Sequence, residues 1–133
     1  ENKLNNINSN ELGVSSEKEK IINEEHLKLS RRLAKLLLDN SPADAQKYKS
    51  VENMQTQINQ WAEEIRKILE IDKITPEQLD YIFKWLESGK SWWTKTNNIR
   101  SGKKLRDKIP NIISEIKEKQ TNEGGYSVYI SNH

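Results

Sequence analysis

Apolar residues recur along this chain with the period of an α-helix. Met54, Ile58, Trp61, Ile65 and Ile68 are spaced by four, three, four and three, which puts all five on one helical face. Glu63, Glu64, Arg66 and Lys67 fall on the opposite, solvated side, with Glu63 and Lys67 set as an i, i+4 ion pair. An earlier stripe of Ile22, Leu29, Leu33, Leu36 and Leu37 predicts a helix from Glu17, capped by Ser16, to about Asp39. Asn40-Ser41-Pro42 ends it, because the residue before a proline is driven out of the α region. Residues 43–50 read as a polar connector with room for a short helical turn. Thr75-Pro76-Glu77-Gln78 opens a third helix: Thr as cap, Pro at the first helical position, and Gln closing a capping box. Leu79, Ile82, Phe83 and Leu86 form its inner face, and Gly89 stops it. A basic connector leads to Ser101, which caps a fourth helix facing inward through Leu105, Ile109, Ile112, Ile113 and Ile116. Pro110 removes a backbone donor there and is expected to kink or split that helix.

The two ends lack this period. Residues 1–16 are rich in Asn and Ser and read as a disordered arm or linker. Residues 121–133 read as a flexible tail with a Gly124-Gly125 turn; Tyr126, Val128 and Ile130 alternate, but one short strand has nothing to pair with. The expectation is therefore all-α: a small bundle of about four helices over residues 17–120. Leu, Ile, Val and Phe supply 31 of the 133 residues, enough for one modest core. A mean hydropathy of -0.95 makes that core thin under a heavily charged surface. The chain opens on Glu1 rather than Met, as a processed product or a piece of a longer protein does. No apolar run reaches the roughly 20 residues of a membrane span, and no signal-peptide core is visible. A cytoplasmic protein without membrane contact is expected.

Catalytic chemistry is hard to place on this sequence. With no cysteine, thiolate catalysis and Cys-based zinc sites are excluded. The two histidines, His26 and the terminal His133, offer no ligand pair, and His26 reads as a half-exposed helix residue. Glu24-Glu25 and Glu63-Glu64 are sequence neighbours, so on a helix they diverge by about 100° and cannot share a proton or a metal. Gly89-Lys90-Ser91 matches the end of a phosphate loop, yet Lys84 occupies the position of the first glycine, and a helix precedes the motif where a strand is needed. The expectation is a protein that is not an enzyme, with no catalytic residue, no cofactor and no metal.

Charge is sorted along the chain. Residues 52–80 carry a net charge of -4, and residues 84–108 a net +6 from eight bases against Glu87 and Asp107. Within the basic stretch stand Trp85, Trp92 and Trp93. Cations that track phosphates, beside an indole on which a base can stack, suit a single nucleic-acid strand. Trp85 and Trp93 are assigned to the core. Trp92, which cannot face the same way as its neighbour, is assigned to the surface. The candidate DNA-binding residues are Lys90, Trp92, Lys95, Arg100, Lys103, Lys104, Arg106 and Lys108.

The pattern Trp61-x-x-Glu64-Ile65-Arg66, Asp72, Pro76-Glu77-Gln78, Trp85, Trp92-Trp93, Asn98-Ile99 and Ser101-x-x-Lys104-Leu105-Arg106 resembles a C-terminal domain in replication initiators of phages and mobile elements of Gram-positive bacteria. The likeness spans about residues 28–118, and its most specific part runs from Trp92 to Arg106. Such domains are loosely akin to DnaD-like and DnaT-like primosomal modules. The chain departs from the pattern at Trp92, where the family usually has Phe, and at Pro110, inside a helix normally uninterrupted. The resemblance implies a replication accessory domain that binds single-stranded DNA and helps recruit the replicative helicase or its loader. It also implies a structural motif of Trp61, Trp85, Trp93, Asn98, Ser101 and Leu105. The alternative is a protein-interaction module with no DNA contact: helicase docking, self-association or inhibition of a host factor. In that case the acidic helices or the apolar tail would make the contact.

Overall fold

A computed structural model of the chain describes residues 22–122. Its helices are α1 (Glu24–Asn40), α2 (Pro42–Tyr48), α3 (Gln55–Glu70), α4 (Pro76–Glu87), α5 (Trp92–Lys95) and α6 (Gly102–Asn122), with a 3-10 turn at Val51–Met54 leading into α3. The described residues contain no strand. The arm at 1–16, the Ser16 cap and the Gly124-Gly125 turn lie outside them.

α3 is the central element. α1 lies along one side of it and α6 along the other, while α4 touches both α1 and α6. α1 and α3 run in opposite senses, since His26 faces Glu70 while Ser30 Oγ donates to the Ile58 carbonyl at 2.6 Å. Ser30, Ala34 and Ala62 are fully buried, and their small side chains let helices approach closely. All five residues of the Met54–Ile68 stripe are buried, as are Leu79, Ile82, Phe83 and Leu86. Arg32 fastens α4 to α1 from outside. Its guanidinium meets Glu87 at 2.7 and 2.8 Å and Asp80 at 2.8 Å, and it lies over the Phe83 ring.

Several details differ from the sequence reading. Asn23 is extended and caps a helix that begins at Glu24, so Ile22 is not part of it; the expected start at Glu17 lies outside the described residues. His26 is buried rather than half-exposed: it is the third helical residue, and its Nδ1 accepts from Asn23 N at 3.1 Å while Asn23 Oδ1 accepts from His26 N. This reciprocal cap needs a neutral ring with an acceptor nitrogen. Burial lowers the His26 pKa from 6.5, with Glu70 opposing. Arg66 is buried too, not solvated, and binds Glu63 and Glu70 at 2.8 and 3.0 Å. Lys67 lies 3.7 Å from Glu64. The connector at 43–50 carries a full helix, α2, because Ser41 and Pro42 form a start signal as well as a stop. Finally, α6 runs unbroken through Pro110 to Asn122. The capping box of Thr75 and Gln78 and the left-handed Gly89 at the end of α4 are as the sequence predicts.

Candidate nucleic-acid interface

The basic stretch divides into two sets of cations. Arg106 binds Asp72 in bidentate fashion at 2.7 and 3.0 Å, clamping α6 to the turn after α3, and this bond holds the Asp72 carboxyl below its usual range. Arg100 reaches Asp44 of α2 at 2.7 Å. The Asp44 carboxyl also accepts from Ser41 Oγ at 2.6 Å, and these two donors hold its pKa down, Ser41 first. Lys84 pairs with Asp80 at 3.1 Å. Lys103 lies 3.6 Å from Asp107, both well exposed. Among the described residues, Lys90, Lys95, Lys104 and Lys108 have no carboxylate within ion-pair distance.

Two of those lysines belong to α5 or its approach, and the other two lie on α6. Ser91 caps this short helix by accepting from Trp93 N. Trp92 is 52% exposed, while Trp93 is half-buried against the core and meets the Trp92 ring edge-on at 4.7 Å. Lys108 Nζ sits 5.8 Å from the centre of the Trp93 ring, a cation–π contact that ties α6 to α5. Lys104 is one turn before Lys108 on the same stripe of α6. Lys90 precedes α5 and Lys95 is its last residue. Lys108 is thus the lysine in direct contact with α5, through the indole next to the exposed Trp92.

Two residues that build this region were not singled out in the sequence. Glu115 of α6 accepts three hydrogen bonds: from Trp85 Nε1 at 2.8 Å, Ser91 Oγ at 2.7 Å and Trp92 N at 2.6 Å. It therefore anchors both the end of α4 and the start of α5. Gly102 is the other. A Cβ there would lie 2.9 Å from Trp61 Cβ and 3.0 Å from Trp61 Cα, so glycine lets α6 begin in contact with α3. No periodicity reveals either role, since one is a charged residue among many and the other a glycine at a helix start.

The motif residues have these positions. Trp61 and Leu105 are buried, and Trp85 is half-buried against the core. Ser101 caps α6 by accepting from Lys104 N at 3.1 Å. Asn98 closes the end of α5, donating from its backbone to Trp93 O at 2.9 Å and from Nδ2 to Thr96 Oγ1 at 2.6 Å. The left-handed turn before Ile99 belongs to Asn97. A groove of about 720 Å³ is lined by Asp72, Ile74, Arg106, Asp107, Ile109, Pro110, Ile113 and Lys117. Of the candidate binding residues, only Arg106 borders it. Among the described residues no cluster of three or more metal-ligating side chains occurs, and no helix is long and apolar enough to cross a membrane.

The fold is that of a small helical domain among the described residues. Residues 28–119 match the family model described as phage replication protein O, C-terminal domain, so the chain belongs to that family and acts in phage-type replication. The match covers the span over which the sequence resembles replication initiators. No curated protein and no solved structure matches the chain.

Proposed function

We propose that this domain binds single-stranded DNA along Lys90, Trp92, Lys95, Lys104 and Lys108, and that it serves replication initiation in the cytoplasm by helping to bring the replicative helicase or its loader to the strand. The observation that carries the DNA reading is the set of four lysines without carboxylate partners on α5, its approach and α6, together with an α5 indole that is 52% exposed. The lysines suit phosphates, and the indole offers a face for a base. Lys103, next to Lys104 in sequence, lies 3.6 Å from Asp107 and stands outside this set. Arg100 and Arg106 were candidates on sequence grounds. Their engagement with Asp44 and Asp72 favours a supporting role, holding the connector and α6 in place.

The test is fluorescence anisotropy of labelled oligo-dT and of a matching duplex, with wild type, Trp92→Ala and the double variant Lys104→Glu/Lys108→Glu. The strand should bind more tightly than the duplex. Trp92→Ala should cost roughly fivefold or more, the lower end of what loss of a base–aromatic stack costs. The double charge reversal should weaken binding further. Equal binding by all three proteins would contradict the assignment. A second reading, protein docking without DNA contact, draws on the groove beside α6 and on Ile71, which is 56% exposed and precedes the groove residue Asp72 in sequence. Absence of DNA binding at low salt, with salt-insensitive capture of a purified replicative helicase, would favour that reading.

A further inference from the structure

Glu115 is the only acid whose carboxylate meets α5 among the described residues, and it stands on the stripe of α6 that carries Lys104 and Lys108. A negative charge on the same stripe as two phosphate-binding lysines should weaken their binding. Its hydrogen bonds give it a different task. Oε2 takes the backbone N–H of Trp92, while Oε1 takes Ser91 Oγ–H and the Trp85 indole N–H. Ser91 is fully buried, and its Oγ in turn accepts from Trp93 N. The first two backbone donors of α5 are thereby satisfied, one by Glu115 and one through Ser91, which Glu115 holds. Four residues form too short a helix to keep this shape unaided. We infer that Glu115 is the positioning residue of the DNA platform: it seats α5 on α6 so that the Trp92 ring stands outward. This rests on the DNA reading above.

Its sign is opposite to that of simple electrostatics. Glu115→Gln removes the negative charge, and on charge alone it should tighten binding to a phosphate backbone. The Gln oxygen can still accept from Trp85 and Ser91, but its amide nitrogen then meets the Trp92 N–H, donor against donor. Seating is lost where the platform begins. The experiment uses the full chain: oligo-dT anisotropy for wild type, Glu115→Gln, Trp92→Ala and the combined variant, with helicity followed by circular dichroism and the Trp92 amide by hydrogen exchange. Glu115→Gln should stay helical, exchange the Trp92 amide faster and bind at least about fivefold more weakly. In the Trp92→Ala background the same change should have little effect, because the two residues act as one unit. Glu115→Asp keeps the charge but falls short of α5; it should also lose affinity, and it serves if the Gln variant fails to fold. Binding by Glu115→Gln as tight as wild type or tighter would overturn the role, as would an equal loss in both backgrounds. A wild-type chain that leaves oligo-dT unbound would instead remove the DNA reading itself, and this role with it.

Discussion

Gly102→Ala separates local helix preference from packing by the sign of its effect. Ala is the better helix former by about 1 kcal/mol in a helix interior, so the sequence alone predicts a modest gain at the start of α6. The backbone of Gly102 lies outside the left-handed region, so conformation presents no obstacle. Space does. The new methyl would meet Trp61 Cβ at 2.9 Å, Trp61 Cα at 3.0 Å and Glu64 Cβ at 3.1 Å. None of these atoms is the end of a flexible side chain, so relief requires α3 and α6 to move apart. Overpacking of this kind costs roughly 1–3 kcal/mol, which exceeds the propensity gain over most of its range. A net loss of up to about 2 kcal/mol is expected. Urea unfolding should show a lower midpoint with an unchanged slope. The melting temperature should fall by roughly 4–8 °C for each kcal/mol in a domain of this size. A Gly102→Ala protein as stable as wild type, or more stable, would refute the close contact between α3 and α6.

Pro110→Ala should raise stability by up to about 3 kcal/mol, since α6 continues through Pro110 and the Arg106 carbonyl would regain its i+4 donor; an unchanged or lower denaturation midpoint would count against this. His26 should make stability depend on pH. Burial lowers its folded pKa below 6.5, so its contribution is complete above about pH 6.5 and is lost as the pH falls from there through the folded pKa. In His26→Gln, Gln can close the same cap without titrating, so this part of the pH dependence should vanish; an identical pH profile in both proteins would exclude the buried cap. Arg106→Ala should lower stability by about 1 kcal/mol, through loss of the partly exposed bidentate pair with Asp72, and should spare most oligo-dT affinity at equal folded fraction. A folded Arg106→Ala protein with DNA binding abolished would move Arg106 into the contact surface.

The helices were legible because burial imposes a period that survives in the sequence. Met54, Ile58, Trp61, Ile65 and Ile68 could be assigned to the core from spacing alone, and Thr75 and Gln78 to a cap from residue type. What spacing does not encode is which charged groups meet across the bundle. Arg100 and Arg106 look like Lys104 in a count of bases, yet their partners Asp44 and Asp72 lie 56 and 34 residues away. His26 and Arg66 escaped for the same reason: each is a polar residue buried by satisfying specific partners. Trp92 was assignable to the surface because adjacent indoles cannot share one face. Glu115, which seats it, is recognisable only once α5 and α6 are brought together.

The central claim is that a small set of lysines, not the whole basic stretch, faces a single strand. The salt dependence of oligo-dT binding tests it most directly. For single strands the logarithm of affinity falls with the logarithm of salt by about 0.7 per neutralised phosphate. Lys90, Lys95, Lys104 and Lys108 together predict a slope of about -3, or roughly a 50-fold loss of affinity between 50 and 200 mM salt. Full engagement of the seven basic candidates would give about -5. A slope near -3 that falls by about 0.7 with each lysine removed would support the four-lysine set. A slope near -5, a slope near zero, or no binding at 50 mM salt would contradict it.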